Sequence, residues 1–446
     1  MGQYFGTDGV RGVANADITP ELALGIGRAL VRTLREEGVS HPRIIIGRDP
    51  RASGEMLESA VAAGVCSAGG NAIVLDVVPT PGVAFLAASL GADAGVMISA
   101  SHNPVEDNGI KLIGPTGHKL TDAEEDRVEE LLQHFDSDRP TGTMIGRKSH
   151  VPGAVEGYTA HLVACGEGLD LNGVHVVLDC ANGAASVVGP TVLRRLGATV
   201  TAIAAIPDGT NINDGVGSNN PEHLAKEVVA HGADLGIAHD GDADRIIACT
   251  AGGEIVDGDQ ILAILAAHRR STIGLDGVVT TVMTNLGFMH AMAGLGIEVV
   301  QTKVGDRYVL EGMQATGFPL GGEQSGHIIS SDHATTGDGI LSAVLLLRAM
   351  HEQQVSLAEL TGVMQRLPQT LVNVRGVDKG ALEDADRVWA AGAAVEADLG
   401  DSGRVLLRSS GTEPIVRVMV EAATVHEAEE HADRLAAVVR DVLPAV

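Results

Sequence analysis

Aromatic side chains are scarce: Phe, Tyr and Trp together make up 2% of 446 residues, with a single Trp. Single-stranded nucleic acid is held largely by stacking on such rings, and a duplex by a basic stripe; the chain offers neither. Basic residues are also few, 31 Lys+Arg against 58 Asp+Glu, for a formal charge of −27. A field of that sign disfavours loose contact with nucleic acid or an anionic membrane, and an anion site must gather its own arginines. The four cysteines, Cys66, Cys165, Cys180 and Cys249, show no Cys-x-x-Cys spacing. That excludes a disulfide scaffold and a zinc ribbon, and fits idle thiols in a reducing compartment. No window reaches the roughly eighteen apolar residues of a membrane span. The opening Met-Gly-Gln-Tyr-Phe-Gly-Thr-Asp has neither the basic nor the apolar region of a signal peptide. A cytoplasmic protein with no nucleic-acid or membrane partner is expected.

What is present is globular: 45% of residues are apolar, and the length suggests three or four domains. The chain reads as strand 43–47, helix 55–68, strand 72–75, helix 80–90 and strand 95–99, the βαβαβ rhythm of a three-layer α/β domain with a mainly parallel sheet. An acidic helix, Thr121 to Phe135, and a polar stretch, Asp136 to His150, follow. The rhythm returns with strand 174–178, helix 187–196, strand 198–202, a helix from Pro221 and strand 235–238. It returns again with helix 258–267, strand 277–282, helix 285–295 and strand 297–301, and a helix over 339–350 comes later. The last part differs: strands 371–375, 405–407 and 415–421, with helices near 381–399 and 425–442, form a smaller α+β domain. The expected architecture is therefore three similar mixed-sheet α/β/α domains, 1–152, 153–252 and 253–367, and an α+β domain, 368–446.

Four stretches carry chemistry. Val96 to Ser99 is an apolar strand that runs into Ser101-His102-Asn103-Pro104, which puts a hydroxyl at the carboxyl end of a strand, where ligands of open α/β sheets sit. Asp240-Gly241-Asp242-Ala243-Asp244-Arg245 places alternating carboxylates on one side of an extended loop, and these repel unless a cation lies among them. It is not an EF-hand: with Asp240 as the first position, the sixth is Arg245 and the twelfth Ala251, where glycine and glutamate are required. An ordinary solvated acidic turn is the bland alternative. Gly321 to His327 packs Glu323, Ser325 and His327 between glycines, groups suited to sugar hydroxyls and proton transfer. Arg408-Ser409-Ser410-Gly411-Thr412, with Arg417 beyond, is a hydroxyl- and glycine-rich turn flanked by guanidinium groups; it fits a phosphate, although a plain hairpin would look similar. Arg11, Lys111 and Lys303 are further candidate cations.

Together these four loops, with the opening Tyr4 to Gly12, resemble the active-site loops of the α-D-phosphohexomutase superfamily, in order and over essentially the whole chain. The resemblance implies a heart-shaped, four-domain monomer or homodimer whose fourth domain closes over bound sugar phosphate. It implies that Ser101 is phosphorylated, with His102 beside it. One Mg²⁺ per chain is implied on Asp240, Asp242, Asp244 and Ser101, with Arg245 next to the phosphoserine. Glu323 and Ser325 match contacts to sugar hydroxyls. Arg408, Ser409, Ser410, Gly411, Thr412 and Arg417 match the grip on the phosphate that is not transferred, and Lys111 and His327 match acid/base partners. Glu323-Gln324-Ser325 is similar to the bacterial branch acting on hexosamine phosphates, whereas phosphomannomutase/phosphoglucomutase relatives tend to carry methionine at the position of Gln324. The implied activity is interconversion of glucosamine 6-phosphate and glucosamine 1-phosphate through a hexosamine 1,6-bisphosphate, with the same chemistry on another hexose as the alternative.

Overall fold

A computed structural model describes residues 4–6, 8–133, 139–410 and 414–445. Thr7, Phe135, residues 136–138, Gly411, Thr412 and Glu413 therefore lie outside the described residues. The chain divides into two compact units, Met1–Met283 with Gly296–Val363, and Thr284–Leu295 with Met364–Val446.

The first unit opens with β1 (Val10–Val13), α1 (Pro20–Glu36), β2 (Arg43–Arg48), α2 (Ala52–Ser67), β3 (Asn71–Val77), α3 (Thr80–Ser89), β4 (Ala94–Ile98), β5 (Asp107–Ile113), α4 (Asp122–Leu132) and β6 (Lys148–His150). Its strands order β1-β5-β4-β2-β3-β6; β4, β2, β3 and β6 run parallel, β5 pairs antiparallel with β4, and β1 pairs antiparallel with β5. Ile44, Ile45 and Ile46 are fully buried, because a parallel strand covered by helices on both faces must be apolar on both. Thr19 caps α1 by accepting from the Leu22 N–H (3.2 Å), and Pro20 fills the first turn, where no donor is needed.

A second sheet follows from α5 (Ala154–Cys165), β7 (His175–Asp179), α6 (Ala185–Arg195), β8 (Thr199–Ile203), α7 (Pro221–His231), β9 (Leu235–Ala238), β10 (Ile247–Thr250) and β11 (Ile255–Val256), in the order β11-β10-β9-β7-β8. The strand at 235–238 does not close this layer, since β10 and β11 turn back antiparallel beyond the acidic loop. The third sheet, β13-β12-β14-β15, comes from α8 (Gly258–Thr272), β12 (Gly277–Thr281), α9 (Leu286–Leu295), β13 (Glu298–Thr302), α10 (Asp306–Thr316), β14 (Leu320–Gly322), β15 (Ile328–Ser330), α11 (Gly339–Gln353) and the four-residue α12 (Leu357–Leu360). Of these, α9 groups with the C-terminal unit.

That second unit holds β16 (Gln369–Arg375), α13 (Asp386–Leu399), β17 (Arg404–Ser409), β18 (Ile415–Glu421) and α14 (Val425–Val442), with a fully antiparallel β16-β18-β17 sheet. Ala428, Ala432, Leu435 and Val439 of α14 are buried, as their spacing requires, and Thr424 with Glu427 forms a capping box. Among the described residues no helix is long and apolar enough to cross a membrane.

Candidate active site

Ser101 lies just beyond the carboxyl end of β4, 1% exposed, with φ at +51°. Its Oγ donates to Asp240 Oδ2 (2.5 Å), and its N–H donates to Ser99 Oγ (2.9 Å). The second loop reaches this serine only because residue 241 is glycine: a Cβ there would stand 2.6 Å from the Ser101 carbonyl oxygen. Neighbouring loops hold the acidic loop in place, through Thr80 N–H on the Asp242 carbonyl (3.0 Å), Gly339 N–H on the Ala243 carbonyl (3.0 Å) and Ile246 N–H on the Gly326 carbonyl (3.0 Å).

Asp240, Asp242 and Asp244 are all buried, each with a carboxylate oxygen within 4.8 Å of the others. Asp242 Oδ2 accepts from Thr80 Oγ1 (2.6 Å) and Lys111 Nζ (3.1 Å), but Oδ1 of Asp242 and Oδ1 of Asp244 are buried and accept no hydrogen bond. Burial and the charges of Asp244 and Asp242 push the Asp240 carboxyl well above the carboxylate range. Burial acts on Asp244 in the same sense, but Lys111, His327 and Arg245 outweigh it and hold that carboxyl well below its usual value. Three converging carboxylates, with two orphaned oxygens among them, fit a small oxygen-seeking divalent cation such as Mg²⁺.

Charges alternate outward from this loop. Lys111 Nζ, buried, stands 3.1 Å from Asp242, 3.3 Å from Asp8 and 3.7 Å from Asp244. Burial would favour the neutral amine, yet Asp242, Asp8 and Asp244 raise its pKa above the usual lysine value, so it is a fixed cation. Asp8 also pairs with Arg11 and Lys119, and Lys119 pairs in turn with Asp306. His327 lies between Asp306 (Nε2, 3.9 Å) and Asp244 (Nδ1, 3.6 Å). Burial lowers its pKa, but those carboxylates raise it on balance. The Gly337 N–H donates to Nε2 (3.2 Å), which makes that nitrogen an acceptor and puts the neutral ring's proton on Nδ1, facing Asp244. His102 is the opposite case: burial, then Arg245 and Arg11, bring it down to about 4, and its Nδ1 sits 3.2 Å from Ser101 Oγ.

A cavity of about 560 Å³ opens over Ser101, lined by Arg11, Arg245, Glu323, Ser325 and His327 among others. Glu323 Oε1 accepts from the Gly305 N–H (3.0 Å), and the buried Ser325 Oγ makes no hydrogen bond. Lys303 is exposed, and the wall runs through Val304 and Gly305 beside it. The sequence reading passed over Asp8, Lys119, Asp306 and Thr80. Asp8 stood in the opening motif, two residues from Val10, but only its distant lysine partners reveal it.

In the C-terminal unit, Arg408 and Arg417 stand directly opposite each other on β17 and β18. Burial and the Arg417 charge both lower the pKa of Arg408. Ser410 N–H bonds the Ile415 carbonyl (3.0 Å) to close the hairpin, and Lys379, also missed, donates to the Ser410 carbonyl (2.6 Å). Gly411 and Thr412 lie outside the described residues.

Four family models match this chain: phosphoglucomutase/phosphomannomutase alpha/beta/alpha domain I over residues 2–139, domain II over 156–253, domain III over 257–367, and the C-terminal domain over 371–438. A phosphoglucosamine mutase of Streptomyces griseus is 55% identical, over 99% of this chain and 100% of the relative. A phosphoglucomutase/phosphomannomutase family protein of Burkholderia thailandensis has the same fold, with TM-score 0.83, 24% identity and coverage of 99% of this chain and 98% of that one. An Aspergillus fumigatus N-acetylphosphoglucosamine mutase, solved with GlcNAc-6P and magnesium, gives TM-score 0.67 at 20% identity over 98% and 96% of the two chains. The serine, the acidic loop and the four-part fold thus meet a match over the full chain: this protein belongs to the bacterial phosphoglucosamine mutases of the α-D-phosphohexomutase superfamily.

Proposed function

We propose that the protein interconverts glucosamine 6-phosphate and glucosamine 1-phosphate through a phosphorylated Ser101 and a hexosamine 1,6-bisphosphate. The observation that carries this reading is the Ser101 hydroxyl, almost wholly buried, 2.5 Å from the first of three carboxylates, two of whose oxygens, Asp242 Oδ1 and Asp244 Oδ1, accept no hydrogen bond. A mere sensor of sugar phosphates has no need of a nucleophile there.

In the first half-reaction the free hydroxyl oxygen of the sugar phosphate attacks the phosphorus of phosphoserine 101. The bond from phosphorus to Ser101 Oγ breaks, the sugar hydroxyl gives up its proton, and Oγ ends as a hydroxyl. The second half reverses these events with the other phosphate of the bisphosphate, after the sugar has turned end for end. Asp240, Asp242 and Asp244, with Ser101, would hold one Mg²⁺, which supplies positive charge against the transferring phosphoryl oxygens. Lys111 and Arg245 add fixed positive charge from the protein; a lysine held protonated between Asp8 and Asp242 suits that role better than proton abstraction. That leaves His327, which lines the same cavity between Asp244 and Asp306, as the proton carrier. Glu323 and the unpartnered Ser325 hydroxyl receive the sugar hydroxyls, and Arg11 faces the same cavity. Arg408, Ser409, Ser410, Gly411, Thr412 and Arg417 grip the phosphate that is not transferred, a reading supported by the two opposed guanidinium groups.

The four-part division at 1–152, 153–252, 253–367 and 368–446 is supported by the four separate sheets, with β11 just beyond the second limit. We place the protein in the cytoplasm on its four free cysteines. The test is steady-state turnover of glucosamine 6-phosphate against glucose and mannose 6-phosphates, with and without chelator. A preference for the amino sugar that collapses on chelation supports the reading, and equal or better use of mannose or glucose phosphate replaces the substrate while keeping the chemistry.

A further inference from the structure

Arg51 heads the largest fully buried side chains of the protein and stands outside every loop assigned above. It lies in the turn between β2 and α2. Its backbone N–H and its Nε donate to the two oxygens of Asp49 (3.0 and 2.9 Å). Nη2 donates to the carbonyls of Ser101 (3.0 Å) and Asn103 (2.8 Å), and Nη1 to those of Asp107 (3.1 Å) and Pro104. One guanidinium thus takes four carbonyls of the β4–β5 connection. Asp49 completes the circuit: its Oδ2 accepts from Ser99 Oγ (2.7 Å), and Ser99 Oγ accepts from the Ser101 N–H (2.9 Å). From the second α/β layer, Asn213 Nδ2 adds donors to the Ser101 and Asn103 carbonyls (2.9 and 3.1 Å).

Ser101 is therefore fixed at both its N–H and its carbonyl while its backbone takes a left-handed φ of +51°. Such a conformation costs a non-glycine residue free energy and persists only where the surroundings over-determine it. We propose that Arg51 is a positioning residue for phosphoryl transfer: without reaching the substrate, it pins the backbone that aims Ser101 Oγ at Asp240. The inference rests on the function proposed above. Its physical basis is that a planar fork can span four carbonyls at once, which a single ammonium cannot.

Arg51→Lys keeps the charge opposite Asp49 and removes the fork. Its kcat for glucosamine 6-phosphate is expected to fall about 10²-fold, as for a nucleophile displaced by an ångström, with KM within about threefold of wild type. Hydrogen exchange of the peptide spanning 99–109 should quicken, while 415–421 exchanges as in wild type. Ser99→Ala leaves Arg51 in place and removes two bonds of the same circuit, the one to Asp49 Oδ2 and the one from the Ser101 N–H, and should lower kcat about tenfold; it decides the matter if Arg51→Lys does not fold. Unchanged kcat in the folded variants, or a rise in KM at constant kcat, overturns the positioning role. If wild type itself does not turn over the amino sugar phosphate, the proposed function falls, and unaltered exchange at 99–109 in the variants would overturn the clamp on its own.

Discussion

Two buried ionic clusters touch Ser101, and they are built in opposite ways. Around Arg51, both oxygens of Asp49 and all three guanidinium nitrogens have partners, and the cluster closes on itself. Around Asp240, like charges face one another and two carboxylate oxygens have no hydrogen bond. A satisfied buried network stiffens a backbone, whereas an unsatisfied one carries a desolvation cost that a ligand can offset. On the proposed reading, the serine takes its aim from the first cluster and its chemistry from the second.

The comparison breaks most completely at the hydroxyl itself. Ser101→Ala is expected to lower mutase turnover by at least about 10⁴-fold, with sugar phosphate binding by calorimetry largely kept. Next comes the open cluster: Asp242→Asn, or chelation of wild type, should reduce kcat by about 10²–10³-fold. In thermal unfolding, Mg²⁺ should raise the midpoint of wild type and fail to raise that of the variant. Full turnover under chelation would break the metal assignment. Arg417→Ala should act more weakly and chiefly on capture, raising KM about tenfold, near 1.4 kcal/mol. Unaltered affinity would mean that the opposed arginines serve something else.

The smallest effect sharpens the contrast by pH. The folded state holds the Asp240 carboxyl above its ordinary value of 3.8, so above that pH it retains a proton that the unfolded chain releases. Taken alone, Asp240 therefore makes the metal-free protein more stable as pH falls and less stable as pH rises, whereas His102 and His239, both held down to about 4, act the other way below their ordinary value of 6.5. Glu125, raised to about 7, and Asp338, raised to about 6, act in the same direction as Asp240. The difference between unfolding midpoints with and without Mg²⁺, followed against pH, therefore reads the acidic cluster together with His102 and His327, whose protonation its carboxylates influence, and a difference independent of pH would contradict the assigned repulsion.

Much of the open cluster could be read from the chain and almost none of the closed one. Asp240, Asp242 and Asp244 lie within five residues, so their crowding is visible locally, and the apolar run before Ser101 marks a buried strand. Arg51 and Asp49 sit in a stretch with the look of an exposed polar turn; their meaning comes from Ser101 and Asp107, some fifty residues on. Lys119 and Asp306 are likewise joined only by folding. The parallel strands were legible through runs such as Ile44 to Ile46. β5 was not, because Asp107, Asn108 and Lys111 interrupt its pattern, and Asn108 and Lys111 are buried only through distant partners. α1 escaped notice although Thr19 and Pro20 are ordinary start signals. The short return strands β10 and β11 carry too few residues to show a period.

The central claim is that Ser101 carries the phosphoryl group that the sugar exchanges. The direct test is the intact mass of protein primed with a hexose 1,6-bisphosphate, followed as glucosamine 6-phosphate is added with and without chelator. The account predicts one phosphoryl group on Ser101 that leaves as bisphosphate forms, and that stays when Mg²⁺ is withheld. Steady turnover by a protein whose Ser101 is never phosphorylated would contradict it.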